Sequence, residues 1–425
     1  MSRGNARAAR RARQRRRRER RLQRRSGGSQ ALRALTTSAL ALPGLAERAA
    51  AAGAPVDYRA DYRYARYSED AISRSKVAVG GETERYEIDI HQFRLEAPIG
   101  QSFDLGLEVA HETMSGATPW YVTPDPNGGD DPIQVMTEAT IDEARTDVLL
   151  SGNHYRDESV LNAGLGFSIE NDYMAYNGSL GGERSFNEQN TTVSGGIGFS
   201  YDLIEPEDTN LFPERPDRED KQSYSLFAGV AQVLGRNTQV QTSLTYQHQR
   251  GFLSDPYKRA FVENSPIPDD RPDTRNQFAW LTQLRRHFRK IDGTLHVDYQ
   301  FFFDDWEMRS HTIELAWYQT LFDRFRLVPS FRYYSQSQAD FYAPFYVTAR
   351  SDGHAASDYR LSPFGAISGG IKAETRFQTW SLLWDVNVSY QRYVSDADYA
   401  LESVDVENPG LVSYDLISAG LTLHF

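Results

Sequence analysis

Cysteine is missing from this 425-residue chain. Its absence removes disulfides, thiolate metal sites and a cysteine nucleophile, and it suits an oxidising envelope compartment. Long apolar runs are also missing. Beyond residue 52 no stretch of about 18 apolar residues could serve as a membrane helix. A transmembrane strand needs only about 10 residues of alternating character, so a negative mean hydropathy leaves a membrane barrel open. Positive charge is scarce in the same region. Residues 1–52 hold fifteen Arg against Glu19 and Glu47, a net of +13, so the rest of a chain of net charge −11 carries −24. An acidic body of that kind argues against nucleic acid as a partner.

Aromatics and glycine, by contrast, are plentiful: 24 Tyr, 22 Phe and 31 Gly. Barrel strands place aromatics at the membrane interfaces and use glycine where strands bend.

The first 52 residues have the order of a secretory signal. An Arg run from Arg3 to Arg25 is followed by an apolar stretch, Ala31 to Leu45, and then by small residues ending at Ala52. The basic part is long, and no Met lies between Met1 and Met114, so a start at a non-Met codon near residues 20–30 fits as well. A nucleic-acid arm is the competing reading of the run. The expected division is therefore 1–52 as signal region with an Arg-rich extension, and 53–425 as one barrel.

The body of the chain repeats one pattern. Val56, Tyr58, Ala60, Tyr62 and Tyr64 alternate with Asp57, Arg59, Asp61 and Arg63, so one strand face is apolar and the other charged. Tyr86, Ile88 and Ile90 stand opposite Glu87, Asp89 and His91. After a turn at Pro98 to Gln101, Phe103, Leu105, Leu107 and Val109 stand opposite Asp104 and Glu108. A symmetric hairpin there would set His91 against Glu108. Leu295 to Phe303 and Trp380 to Tyr390 repeat the alternation, with Asp298 and Asp385 on their polar faces.

Sixteen such segments can be counted. Short turns, as at Arg156 to Ser159 and Asp323-Arg324, largely alternate with long connections at 68–83, 115–140, 204–221, 251–275, 338–358 and 395–410. The segments average about 13 residues, well beyond the usual five or six of a soluble strand. The pattern predicts an all-β fold: a transmembrane antiparallel up-and-down β-barrel of about 16 strands, with short periplasmic turns and long extracellular loops. The last strand alternates Ile417, Ala419, Leu421, Leu423 and Phe425 with polar or small residues and stops on the aromatic. Leu421, Leu423 and Phe425 are the candidate signal for the barrel-assembly machinery, and the strand should close the barrel against Val56 and Tyr58.

Several stretches resemble one bacterial family of outer-membrane barrels, the domain of unknown function 3570. They are Tyr67 to Asp70 (YSED), Glu112 to Val122 (ETMSGATPWYV), Ala144 to Tyr155 (ARTDVLLSGNHY) and Ser168 to Tyr173 (SIENDY). The resemblance covers nearly all of the chain after the signal region. It implies residence in the outer membrane, and a loose link to envelope redox chemistry through a periplasmic thioredoxin-like partner. It brings no activity and no catalytic residues.

The candidate lumen-lining residues are Arg59, Arg63, Glu87, Asp89, His91, Glu108, Asp298 and Asp385. Either they line a pore and set its charge selectivity, or they pair across strands and fill a closed lumen. Asp-rich loops at 123–132, 204–221 and 263–275 could hold Ca²⁺ but lack the spaced ligand pattern of a calcium loop, and no metal or cofactor is expected. Trp120 and Tyr121 could anchor at the membrane interface, or their loop could fold into the lumen. The nine His form no hydrolase pattern with Ser or Asp; only His91 and His154 would merit testing, and no enzyme is expected. The functional expectation is an outer-membrane barrel that passes or binds small solutes. Its alternatives are a scaffold for a periplasmic redox protein or an outer-membrane hydrolase. Sequencing the N-terminus of the exported protein should place cleavage near Ala52; a retained Arg run would contradict the signal reading.

Overall fold

The computed structural model describes residue 55 and residues 57–129, 131–137, 141–322, 324–380 and 382–425. The signal region with its cleavage point, Val56 and Asp323 lie outside the described residues. Among the described residues twenty strands follow one another: β1 (Arg59–Glu69), β2 (Glu87–Ile99), β3 (Phe103–Gly116), β4 (Pro119–Thr123), β5 (Ile133–Met136), β6 (Ile141–Arg156), β7 (Ser159–Ile169), β8 (Tyr173–Phe186), β9 (Thr191–Ile204) and β10 (Glu219–Gly235). The second half holds β11 (Thr238–Gly251), β12 (Arg259–Val262), β13 (Ser265–Pro268), β14 (Thr274–Phe288), β15 (Gly293–Asp304), β16 (Arg309–Leu321), β17 (Phe325–Gln336), β18 (Phe364–Thr379), β19 (Leu382–Asp396) and β20 (Tyr414–His424).

Sixteen of them close into one antiparallel barrel in sequence order. The other four make two small ribbons, β4 with β5 and β12 with β13, inside long connections. The ring shuts where β1 meets β20, with Ala60 opposite Leu423 and Tyr62 opposite Leu421. Two further backbone bonds, Tyr58 N–H to Phe425 O (2.9 Å) and Phe425 N–H to Tyr58 O (3.0 Å), carry the seam to the last residue. The Tyr58 and Phe425 rings stack there at 5.6 Å. No sheet edge is left for lipid to meet.

The start of β1 and the end of β20 lie at the end of the short turns, which run from 100–102 to 380–381. On the general rule for such barrels this is the periplasmic end. The opposite end carries the long connections 70–86, 117–140, 205–218, 252–273, 337–363 and 397–413. Two connections at that end, 170–172 and 305–308, are short.

The outer face bears the apolar set. Leu165 is 69% exposed and Leu244 62%, with Leu161, Leu180, Ile197 and Leu226 similarly bare around the girth. A soluble protein does not expose a continuous belt of this kind; a lipid-facing barrel requires it. Toward the long-loop end, aromatic rings on neighbouring strands meet: Phe167 with Tyr176, Phe199 with Tyr224, and Tyr246 with Phe278 and then Phe303. That is the interfacial girdle of an outer-membrane barrel. The barrel strands run from 11 residues in β1 to 17 in β10. Spanning the bilayer takes only about 9–11, so the longer strands project beyond the girdle into water.

Removing Phe425 takes away the final seam bonds and the ring stacked on Tyr58. Relative to wild type, the truncated chain should give a smaller fraction of folded, heat-modifiable barrel in the outer membrane; an unchanged fraction would show that the terminal residue is dispensable for assembly.

Candidate functional site

The pleat decides which side chains enter the lumen. Tyr62 and Phe93 are paired across β1 and β2 and both are exposed on the lipid face. The odd-numbered residues of β1 therefore point inward, as do the even-numbered residues of β2. Arg59 and Arg63 lie on the inward face, where Arg59 meets Asp61 at 2.8 Å and Arg63 reaches Ser418 at 3.4 Å. Glu108 lies inward opposite Arg94. Asp298 is held by Arg285 (Nη2 to Oδ2, 2.9 Å), and Asp385 by Arg376 at 2.8 Å and His424 at 3.1 Å.

Glu87, Asp89 and His91 do not line the lumen. They share the outward face with Phe93, and Glu87 makes an exposed ion pair with Arg66 at 2.9 Å. The reason is strand length. Past the girdle, the outward face of β2 is in water and becomes polar. The inward face becomes apolar there, because Tyr67, Tyr86, Ile88 and Met114 pack together inside the mouth. Alternation continues unbroken while its meaning reverses. The register sets His91 opposite His111, not Glu108. His91 hydrogen-bonds the Tyr62 hydroxyl at 2.9 Å, and His154 stacks on Phe103 at 4.3 Å.

The long loops meet over the mouth. Four strands, β7 to β10, separate the loop 117–140 from the loop 252–273 around the ring. Even so, Lys258 Nζ donates to Pro119 O at 2.8 Å. Tyr257 of the same loop donates to Asp172, between β7 and β8. From the far side, Arg360 reaches Asp255 at 3.0 Å and Arg271 reaches Asp358 at 3.1 Å. Arg85 of the first loop donates to Gly410 O at 2.9 Å, and Asn408 donates to Tyr342 at 2.9 Å. Beneath these bonds Trp306, Met308, Phe341, Tyr342 and Leu361 form an apolar cluster. Together the loops make a lid.

Ionised groups hold the centre of the lid. Asp269 and Asp358 have fully buried side chains, and Arg271 bridges them at 2.7 and 3.1 Å. Arg360 links Asp358 to Asp255. Burial opposes ionisation of Asp358, but Arg360, Lys258 and Arg271 together outweigh it and hold the carboxyl well below the usual carboxylate range. Burial pushes Lys258 below the ordinary lysine value, against the pull of Asp358. Because the Asp358 value is depressed in the folded lid, its stabilising contribution is complete above about pH 4 and fades only as pH falls through the lowered value.

Sequence reasoning missed this cluster. Its one readable trace is an acid and an arginine two residues apart, Asp269-x-Arg271 and Asp358-x-Arg360, which an extended chain sets on one side. The loop 263–275 read instead as an Asp-rich calcium candidate. Asp269 is taken by Arg271, and Asp270 by His354 at 2.6 Å. Among the described residues no three His, Asp or Glu side chains are grouped as metal ligands. Trp120 and Tyr121 belong to the lid rather than the girdle: Tyr121 stacks on Phe261 at 6.3 Å, and Trp120 lines a pocket of about 450 Å³ between loops.

One family model matches residues 32–407, described as "Protein of unknown function (DUF3570)". The chain belongs to this family. Among solved structures it is similar to a bacterial polysaccharide outer membrane secretin, with 8% identity and a TM-score of 0.44, covering 86% of this chain and 97% of that one. CdiB from Acinetobacter baumannii gives 8% identity and a TM-score of 0.44 over 86% of this chain and 60% of its own. OccK1 (OpdK) of Pseudomonas aeruginosa gives 11% identity and a TM-score of 0.39 over 88% and 100%. No curated protein matches the chain. As a barrel with a closed seam and a lipid-facing apolar belt, this DUF3570 member is an outer-membrane protein.

Replacing Asp358 by Asn would leave Arg271 and Arg360 without their shared carboxylate, a loss of about 3–5 kcal/mol for a broken buried pair. Amides in 252–273 and 337–363 should lose hydrogen-exchange protection while those of β14 to β19 keep theirs. Equal protection in the variant would show that the ion network does not hold the lid.

Proposed function

We propose that this protein is an outer-membrane passage for small solutes whose extracellular mouth is shut by its own loops until the lid opens. The observation that carries the reading is a difference in exposure between two parts of the inward face. Lys372, inward on β18 and in the barrel's middle third, has a side chain 37% exposed, and Glu314, inward on β16, is exposed as well. Glu112, inward on β3 just under the lid, is 0% exposed. Water therefore reaches the mid-barrel lumen beside β16 and β18, while the inward face of β3 is covered, from Glu112 under the lid to Asp104 near the short-turn end. A sixteen-strand ring is wide enough to leave an aqueous lumen.

The nature of the seal supports the same reading. It combines loop-to-loop hydrogen bonds and ion pairs with the small apolar cluster beneath them, and no α-helix or separate domain is threaded through the ring among the described residues. Such a lid can open without unfolding the wall, because the strand ladders beneath it are complete on their own. The lower wall is mixed in sign, with Arg285 beside Asp298 and Arg376 beside Asp385. That arrangement suits polar solutes better than a strong choice between cations and anions.

In planar bilayers the wild-type protein should show rare or small conductance steps, and the Asp358→Asn variant longer and larger ones. A variant whose lid is open by hydrogen exchange yet passes no current would overturn the channel reading.

A further inference from the structure

The pocket in the lid has an unusual charge balance. It lies between the loops 205–218 and 252–273 and the ribbon strand β4, with a volume of about 450 Å³. Four carboxylates line it, and each is already engaged. Glu214 pairs with Arg259, Asp255 with Arg360, Asp269 with Arg271 and Asp270 with His354.

Two of its three cations are not so engaged. Arg215 donates through Nη1 to the Glu207 carbonyl at 2.9 Å, and Lys258 donates to the Pro119 carbonyl at 2.8 Å. Among the described residues neither makes an ion pair. The Arg215 guanidinium lies over two rings, Phe212 at 4.0 Å and Tyr257 at 4.8 Å. Stacking of this kind fixes the plane of the guanidinium and strips water from its faces, leaving its edge for hydrogen bonding. Lys258 is buried, and burial depresses both cations below their ordinary values.

A half-buried guanidinium and a buried ammonium, neither in direct contact with a carboxylate although Asp255 and Asp358 act on Lys258 and Asp172, Asp208 and Asp255 on Arg215 from further off, leave room for an incoming anion. The planar fork of arginine matches a carboxylate through two parallel N–H bonds. Trp120, Phe252 and Tyr257 add aromatic walls for an apolar body. The engaged carboxylates around the same pocket would repel a dianion such as phosphate more than a single negative charge.

We propose that the lid pocket captures a small organic monocarboxylate, its carboxylate on Arg215 with Lys258 as the second cation and its body against Trp120 and Tyr257. The proposal rests on the passage reading above, since it names the class of solute met at the mouth.

The test is calorimetric titration of the full-length folded barrel in detergent with benzoate, and with benzamide as a matched neutral probe. Benzoate should bind saturably and benzamide at least about tenfold more weakly, equivalent to about 1.4 kcal/mol. Arg215→Gln should weaken benzoate by a similar factor, and Arg215→Lys, which keeps the charge and loses the fork, by less. Heat-modifiability on gels reports whether each variant is assembled; should Arg215→Gln fail to assemble, the benzoate-to-benzamide comparison on the wild type decides. Equal binding of the two probes, no saturable binding of benzoate, or benzoate binding unchanged in assembled Arg215→Gln would each overturn the site. Conductance separates the two readings. A conducting barrel that ignores benzoate loses only the capture site, and a silent barrel that binds it keeps the site and loses the passage.

Discussion

Everything in this structure depends on the pairing of β1 with β20. In hydrocarbon an unpaired backbone amide or carbonyl costs several kcal/mol, so an open sheet of this size could not remain in a membrane. Closing the seam from Tyr58 to Glu69 satisfies the last row of donors and acceptors. Once the ring is shut, period-two alternation becomes a division between lipid and lumen, and the rest of the sequence pattern follows from it. Leu165 and Leu244 can be bare because lipid covers them, and Asp298 and Asp385 meet Arg285 and Arg376 on the inward side.

Closure also creates a problem that the loops answer. A sixteen-strand ring encloses more space than its inward side chains fill. At the long-loop end that space is filled from above, by loops rooted on opposite arcs of the ring. A cluster of buried ions is a costly way to hold them, since each charge gives up its hydration. What it supplies is directionality: Arg271 and Arg360 each bind two carboxylates on different segments, so the loops fit in one arrangement. An apolar seal of similar area would tolerate many.

The wall of the barrel was legible in the sequence and the lid was not, for a physical reason. Strand faces are set by local alternation, so Arg59, Asp298 and Asp385 could be placed from their immediate neighbours. The lid is set by contacts between residues far apart in the chain, such as Asp255 with Arg360, and no local period encodes them. The assignment of Glu87, Asp89 and His91 went wrong at the border between the two regimes. Their alternation is as regular as that of Arg59 and Arg63, but they stand beyond the girdle, where the outer face is in water and the inner face is packed. Sequence period gives the face; only the position of the membrane gives the sign. In the final strand the Phe425 ring stacks on Tyr58 at the short-turn end of the seam.

The lid pocket and the lid lock are not separate pieces of the molecule. Asp255 and Asp269 line the pocket and also bind Arg360 and Arg271. Lys258 lines the pocket while its charge acts on Asp358, the carboxylate at the centre of the lock. An anion seated beside Lys258 would draw on the same cation that helps to hold Asp358 ionised. Binding and closure would then compete for one set of charges, and any preference of the anion for the open arrangement would shift the lid by the difference in its affinity for the two states and no more. A lock made of ion pairs is open to that competition in a way that an apolar plug is not, because a small charged solute can replace one partner of an ion pair but cannot replace a packed side chain.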